Sequence, residues 1–323
     1  MKHLLLTGAT GFVGRNLLLR AHSQGIRVLA PVRSAERLRR CLAEDGLPAE
    51  SVTPMAAEPA EWPAVSPAHA VLCAGVLFAR TREEYFSVNL EWTLRVIRAL
   101  PPECRVIVIS SQSAGGPTPE GTLARSEADA DRPITWYGES KLALERAVRQ
   151  EFPGRSITIL RPPMILGARD SATLPLFQMA RGGIRTKPGL RTKFFSYLSV
   201  DDVVDAIFAA ASLDLSGPFY LASTSPVSDL ELIASAARAA GGRGVTVRIP
   251  LPLVRIMAAA VDTVPAWRDA MPSLTRDRAR EIWPDRWVVD SARFQSVCEW
   301  SPRVSLDEAL ASAHAHFRAI GSL

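Results

Sequence analysis

His3-Leu4-Leu5-Leu6, followed by Thr7-Gly8-Ala9-Thr10-Gly11-Phe12-Val13-Gly14, is the stretch on which the fold of this chain turns. The apolar run has the length of one strand, and the glycine-rich turn leads directly into helical spacing over Gly14 to Ser23. Glycines at 8, 11 and 14 let the turn tighten, bring backbone N–H groups near a pyrophosphate and allow close helix packing, while the helix N-terminus favours negative charge. A glycine-rich turn alone carries little weight. Its place after the first strand makes Gly8, Thr10, Gly11, Phe12, Val13 and Gly14 the expected seat of a dinucleotide.

The alternation continues downstream. Arg27 to Val32, Ala70 to Ala74, Arg105 to Ser110 and Ser156 to Leu160 read as strands. Val88 to Leu100 and Tyr137 to Glu151 read as helices between them. Strands alternating with helices predict βαβ units and a doubly wound parallel sheet covered on both faces. After Arg161 the regularity weakens: Asp170 to Lys193 is rich in Gly and Arg, Val200 to Ser212 and Ser228 to Ala240 look helical, and Phe219 to Ala222 is a short strand. The chain is therefore divided into a Rossmann-type α/β nucleotide-binding domain over 1–168 and a smaller α+β domain, mainly for substrate, over 169–323. Some chain is expected to return to the first domain around 195–222. At 323 residues, two such domains are what the length accommodates.

Composition narrows the function. With 47% hydrophobic and 22% charged residues the chain is globular rather than disordered. Four lysines (Lys2, Lys141, Lys187, Lys193) stand against an arginine majority, giving a net charge of +5 and a pI near 9.3. The arginines are scattered, the densest group being Arg37, Arg39 and Arg40, so no concentrated basic face with stacking aromatics indicates nucleic acid. Cys41, Cys73, Cys104 and Cys298 lie far apart with no CxxC pair, which predicts neither metal nor disulfides and fits a reducing cytoplasm. His314 and His316, two apart in an expected helix, face different directions and read as solvated surface rather than a metal site. The apolar residues after Lys2 are too few for a signal peptide, and Leu251 to Val264, interrupted by Arg255 and Asp262, is too short for a membrane span. An amphipathic helix there could touch a membrane or a greasy substrate, or simply pack on its own domain.

The second chemical signal is Tyr137-Gly138-Glu139-Ser140-Lys141. Residues four apart share a helix face, so the Lys141 ammonium can lie near the Tyr137 phenol. An unperturbed tyrosine titrates near 10, and a neighbouring positive charge is expected to lower it toward the range useful for general acid or base catalysis.

These two motifs, at this separation, resemble the extended branch of the short-chain dehydrogenase/reductase superfamily, the NAD(P)-dependent epimerase, dehydratase and reductase group. The resemblance covers nearly the whole chain: Val88-Asn89-Leu90-Glu91-Trp92-Thr93, Leu160-Arg161-Pro162-Pro163, Val200-Asp201-Asp202-Val203, and the ending from Asp290 to Phe317 are similar to family segments. It implies a catalytic Ser, Tyr and Lys. Within Ser110-Ser111-Gln112-Ser113-Ala114-Gly115-Gly116, aligning the loop's closing glycine with Gly116 selects Ser111, with Ser113 as runner-up. Tyr137 would move the proton, Lys141 would also bind the nicotinamide ribose, and Asn89 and Pro163 join the cofactor set, with Cys73, Ala74 and Gly75 lining its cleft. Cys73 is expected to be a packing residue rather than a nucleophile. The second strand ends in Pro31-Val32-Arg33-Ser34 with no acid until Glu36, so Arg33 and Ser34 predict NADP over NAD. The family often dimerises through the helices at Val88 to Leu100 and Tyr137 to Glu151, making a homodimer possible.

Departures from the family pattern bear on the substrate. Where nucleotide-sugar enzymes supply an Asn and an Arg to the substrate, this chain has Met164 and Phe195, which would leave a pyrophosphate poorly paired and favour an apolar ligand. Arg191 and Lys193 lie close enough in sequence to compensate. Gln112-Ser113 replaces the acid pair of the dehydratases. The expectation is an NADP-dependent reductase or dehydrogenase of an apolar ketone or secondary alcohol, similar to the steroid dehydrogenase and dihydroflavonol reductase relatives. The alternatives are a nucleotide-sugar epimerase with tightly held cofactor and a non-enzymatic NADP-binding protein.

Overall fold

A computed structural model describes residues 3–270 and 274–323, so Lys2 lies outside the described residues. The first half contains β1 (His3–Thr7), α1 (Phe12–Ser23), β2 (Arg27–Pro31), α2 (Ala35–Glu44), β3 (Val52–Met55) and β4 (His69–Leu72). A continuous helical stretch follows, α3 (Arg82–Phe86) passing through a wider π-type turn (Ser87–Trp92) into α4 (Thr93–Ala99). Then come β5 (Arg105–Ile109), the one-turn α5 (Gln112–Gly115), α6 (Trp136–Glu151) and β6 (Ile157–Arg161). The second half holds β7 (Met164–Leu166), α7 (Leu174–Arg181), β8 (Ile184–Pro188), β9 (Phe194–Phe195), β10 (Tyr197–Ser199), α8 (Val200–Ala211), β11 (Gly217–Tyr220), β12 (Val227–Ser228) and α9 (Asp229–Ala240). It closes with β13 (Val245–Ile249), α10 (Leu251–Thr263), α11 (Pro265–Ala270), β14 (Arg286–Trp287), α12 (Ala292–Cys298) and α13 (Leu306–Ala319).

Among the described residues the main sheet has seven strands, all parallel, in the order β3-β2-β1-β4-β5-β6-β11. The first six give the doubly wound order 3-2-1-4-5-6, which reverses direction between β1 and β4 and opens a crevice at their C-terminal ends. Both faces are covered because side chains alternate across the sheet. Leu4 and Leu6 pack with α1 and α8 on one side, and Leu5, between them, packs with α4 and α6 on the other. Ile107 and Ile109 against Val106 and Val108 repeat the division on β5.

Two elements of this half escape the periodicity of the sequence. Edge strand β3 is short and contains Pro54, tolerable only where one side of the ladder is free. Helix α2 buries only Leu38, Cys41 and Leu42, spaced three and four apart, which puts Arg37, Arg39 and Arg40 on its exposed side and accounts for the densest arginine cluster as a solvated face.

In the second half, β11 adds to β6 and α8 packs against α1. Around α7, α9 and α13 a separate core forms from Phe177, Ala236, Leu310, Phe317 and their neighbours. His314 packs its ring against Phe177 at 5.5 Å and is half-buried rather than fully solvated. Among the described residues no helix is long and apolar enough to cross a membrane, and the four cysteines are free thiols.

Candidate active site

The crevice is built by two loops that touch. Gly8, after β1, has φ +72°, and a Cβ there would lie 2.8 Å from the Ala74 nitrogen after β4. Thr7 Oγ1 accepts the Ala74 N–H at 3.1 Å, locking the loops together. Gly14 has no room for a side chain, since its Cβ would sit 2.1 Å from the Gly8 oxygen. The turn therefore needs glycine for contact as well as conformation. Helix α1 begins at Phe12 with no side-chain cap and no acid in its first turn. Its first N–H groups are left for an anion, and Phe12 and Val13 line the cavity. The residues present thus fit the phosphates of a dinucleotide.

That cavity, about 490 Å³, runs along the C-terminal ends of β1, β4, β5 and β6. It brings together Cys73, Gly75, Ser111, Tyr137, Lys141, Pro163, Met164 and Phe195, which are far apart in sequence. Arg33 and Ser34 lie at the end of β2, both exposed, where Ser34 Oγ also caps α2 by accepting the Arg37 N–H at 3.1 Å. Arg191 and Lys193 do not line the cavity. Arg191 is exposed and pairs with Asp285, while Lys193 is buried and donates to the Ile282 carbonyl.

Asn89 directs its amide to neighbouring protein groups. It is buried, with Oδ1 accepting from the Val76 N–H at 2.8 Å and Nδ2 donating to the Val76 carbonyl and Ser140 Oγ. Its amide is spent holding the 75–76 loop against α6, so it shapes the cleft indirectly. Desolvation in the cleft wall pushes the Cys73 thiol up to about 12, which suits a packing residue.

The three candidate serines have three different fates. Ser110 donates to the buried carboxylate of Glu145 at 2.5 Å, and Arg161 holds that carboxylate from the other side. Ser113 Oγ donates to Glu281 at 3.2 Å. Ser111 Oγ accepts the Ser113 N–H at 3.1 Å and lies beside the Tyr137 phenol, where it favours the ionised form. Lys141 is buried, its Nζ donating to the Ile109 carbonyl at 2.9 Å and lying 6.0 Å from the centre of the Tyr137 ring. Burial pulls the Lys141 ammonium down to about 8.

The expected lowering of the Tyr137 pKa is reversed. Desolvation pushes the phenol up to about 12, and the opposing influences are the Ser111 hydrogen bond and the charge of Arg278. Two cations face the tyrosine ring, Arg278 with its guanidinium 5.2 Å from the ring centre and Lys141 at 6.0 Å.

Arg278 and Glu281 were not visible as site residues in the sequence. They lie on a short 3₁₀ turn, Arg278–Ile282, which folds over the cavity from the far end of the chain. Glu281 accepts from Arg278 at 3.0 Å, from Thr135 Oγ1 at 3.0 Å and from Ser113. Asp277 accepts the Trp136 N–H that opens α6. The only sequence signal is an Arg–Glu pair three apart, ordinary on any helix, so only the tertiary fold could show its role. Asp170, buried and raised to about 6, and Trp287 complete this unanticipated lining.

With this geometry in place, comparison with known proteins is informative. Residues 4–219 match the profile of the "NAD dependent epimerase/dehydratase family". The chain is 27% identical over 292 residues to the ceramide reductase of Caulobacter vibrioides, an alignment covering 89% of this chain and 86% of that one. It is 24% identical over 339 residues to the 2-alkyl-3-oxoalkanoate reductase of Shewanella oneidensis, covering 96% and 85%. Among solved structures, MoeE5 in complex with UDP-glucuronic acid and NAD superposes with a TM-score of 0.73 at 23% identity, covering 99% of this chain and all of that one, a likeness of fold. Since the matched residues run from β1 into β11 and contain both crevice loops and the Tyr137 helix, this chain belongs to the NAD dependent epimerase/dehydratase family, with the NAD(P)-linked enzymatic chemistry of that group.

Proposed function

We propose that the protein is an NADP-dependent reductase or dehydrogenase interconverting a ketone and a secondary alcohol on a largely apolar substrate. The observation that carries this reading is the meeting of Ser111, Tyr137 and Lys141 in a cavity whose other walls include Val76, Leu77, Met164, Ile165 and Phe195. Such walls favour an apolar body with a single polar reacting group. Of the two cations lining the cavity, Lys141 donates to the Ile109 carbonyl and Arg278 is held at 2.9 and 3.0 Å by Glu281, so the charge of Arg278 is already matched. Two of the relatives named above are reductases.

Residues 1–168 would hold the cofactor, with the Phe12 and Val13 N–H groups on its pyrophosphate, Arg33 and Ser34 on a ribose phosphate, Lys141 on the nicotinamide ribose and Pro163 beside the nicotinamide. When bound, the nicotinamide supplies or takes up hydride at the substrate carbon. Ser111 hydrogen-bonds the substrate oxygen, and Tyr137 gives that oxygen a proton in reduction or removes one in oxidation. A phenol raised to about 12 stays protonated at neutral pH, the form that donates in reduction, though as a weaker acid than free tyrosine. Free thiols fit a cytoplasmic protein.

The test is NADPH consumption against a series of ketones of increasing apolar size. The rate should rise with apolar size, and NADPH should be used faster than NADH. Epimerisation of a nucleotide sugar without net cofactor turnover, in a preparation inert to every ketone, would overturn the reading.

A further inference from the structure

Helix α10 carries two apolar stripes. Val254, Ala258 and Val261, spaced four and three apart, are buried against the protein. Leu253, Ile256 and Met257 point outward, 49, 66 and 40% exposed, and Trp267 on α11 continues them at 50%. A surface helix ordinarily places polar and charged residues on that side. Here the charged residue among the exposed positions of α10 is Arg255. The exposed Leu190 adjoins the same region, since Arg248 donates to its carbonyl and the neighbouring Gly189 lies against Leu251.

Cations predominate around this face, and the carboxylate on α10 itself, Asp262, is half-buried and held by Arg276. From Ser171 to Val200 and from Leu232 to Val261 the sequence contains no Asp or Glu, and these two stretches supply α7, β8, β13 and nearly all of α10. Their buried cations have internal partners, Lys187 pairing with Asp229 at 2.7 Å while Arg185 and Lys193 donate to backbone carbonyls. Arg243, Arg248 and Arg255 are exposed and, among the described residues, pair with no carboxylate. The guanidinium of Arg255 lies 5.0 Å over the ring of Trp283, directly after the 278–282 turn that covers the cavity. The apolar face therefore adjoins the outer wall of the site.

An apolar stripe fringed by unpaired arginines needs a partner that is both greasy and anionic over an area wider than one side chain. A leaflet containing anionic phospholipid offers these two properties in layers, with phosphates for the arginines and acyl chains beneath for Leu, Ile, Met and Trp. A 13-residue helix cannot span a bilayer and would lie in its surface. We propose that α10, with Trp267, is a peripheral docking face for an anionic lipid bilayer, holding the 278–283 wall of the cavity against the membrane surface.

Co-sedimentation of the full chain with vesicles tests this. Binding is expected to vesicles of phosphatidylcholine with phosphatidylglycerol, to be weak with phosphatidylcholine alone, and to fall as salt is raised. Ile256→Asp with Met257→Asp should weaken binding at least about tenfold, and Arg248→Gln with Arg255→Gln should remove the preference for anionic lipid. Both variants should remain folded, the first with the wild-type Tm because Ile256 and Met257 are exposed, the second with a small loss from the Arg255–Trp283 stacking and the Arg248 bond to the Leu190 carbonyl. Failure of the wild-type chain to bind, or equal binding by all three proteins, overturns the proposal. So does a dimer in solution that the Ile256→Asp, Met257→Asp variant converts to monomer without any vesicle binding, which would assign the face to a second copy of the chain.

Discussion

Tyr137 and Ser111 were legible as residue types and spacings, yet the electrostatics that govern them were not. The four-residue interval brings Lys141 to the Tyr137 ring as expected, but its ammonium also donates to the Ile109 carbonyl, and a second cation that the spacing could not show, Arg278, lies nearer the ring. On the proposed chemistry, Tyr137→Phe should lower kcat by about 10²- to 10⁴-fold while cofactor affinity is unchanged. Ser111→Ala should lower kcat by roughly 10²- to 10³-fold, as loss of a hydrogen bond to the reacting oxygen does, and Ser113→Ala should stay within about tenfold, its hydroxyl being bonded to Glu281. Steady-state rates and cofactor titration check all three. Lys141 carries a further consequence for stability. Its folded pKa, about 8, lies below the ordinary lysine value of 10.5, so between those limits the unfolded chain binds more protons and stability rises with pH. Below pH 8 the full cost of burying the charge is present. Lys141→Met should therefore be inactive yet more stable at pH 7, by roughly 1–3 kcal/mol, with the advantage shrinking as pH passes from 8 toward 10. Urea denaturation across that range measures it.

At the scale of elements, α6 is the part on which the site depends. Thr135 caps it, Asp277 receives its first N–H, and Glu145 on its inner face is gripped by Arg161 of β6 while accepting from Ser110. Asp131 and Tyr220 complete the bonds to the same guanidinium. Such a buried ionic network is costly to break from one side and fixes the helix relative to β5, where the serines are. Its contact with the serine loop runs through Gly138, whose Cβ would lie 2.3 Å from the Ser113 carbonyl. Gly138→Ala should force the two apart. Overpacking of this kind costs about 1–3 kcal/mol, and a displacement near 1 Å at the reacting groups lowers kcat by about 10²-fold. A Tm drop accompanied by a kcat loss much larger than any change in cofactor Kd is the expected pattern.

On the scale of the whole molecule, the cofactor is expected to bridge loops from β1, β2, β4 and β6, and a ligand that binds only the folded chain stabilises it. At a hundredfold excess over Kd the gain is about 2.7 kcal/mol. At equal concentrations NADP should therefore raise Tm more than NAD, and Arg33→Asp should reverse that order. The chain's linear text was sufficient for the parallel sheet, the glycine-rich turn after β1 and the Tyr137–Lys141 face, because β-alternation, helix periodicity and glycine turns are local properties written within a few residues. It was not sufficient for β3, where Pro54 and an exposed edge leave little apolar signal, or for the inward commitment of Asn89. Nor could it show that residues 277–287 close over a site whose other walls come from residues 12–195. Those depend on which distant surfaces meet, and on the desolvation that follows, which sets the pKa values of Tyr137 and Lys141 and which only the packed structure decides.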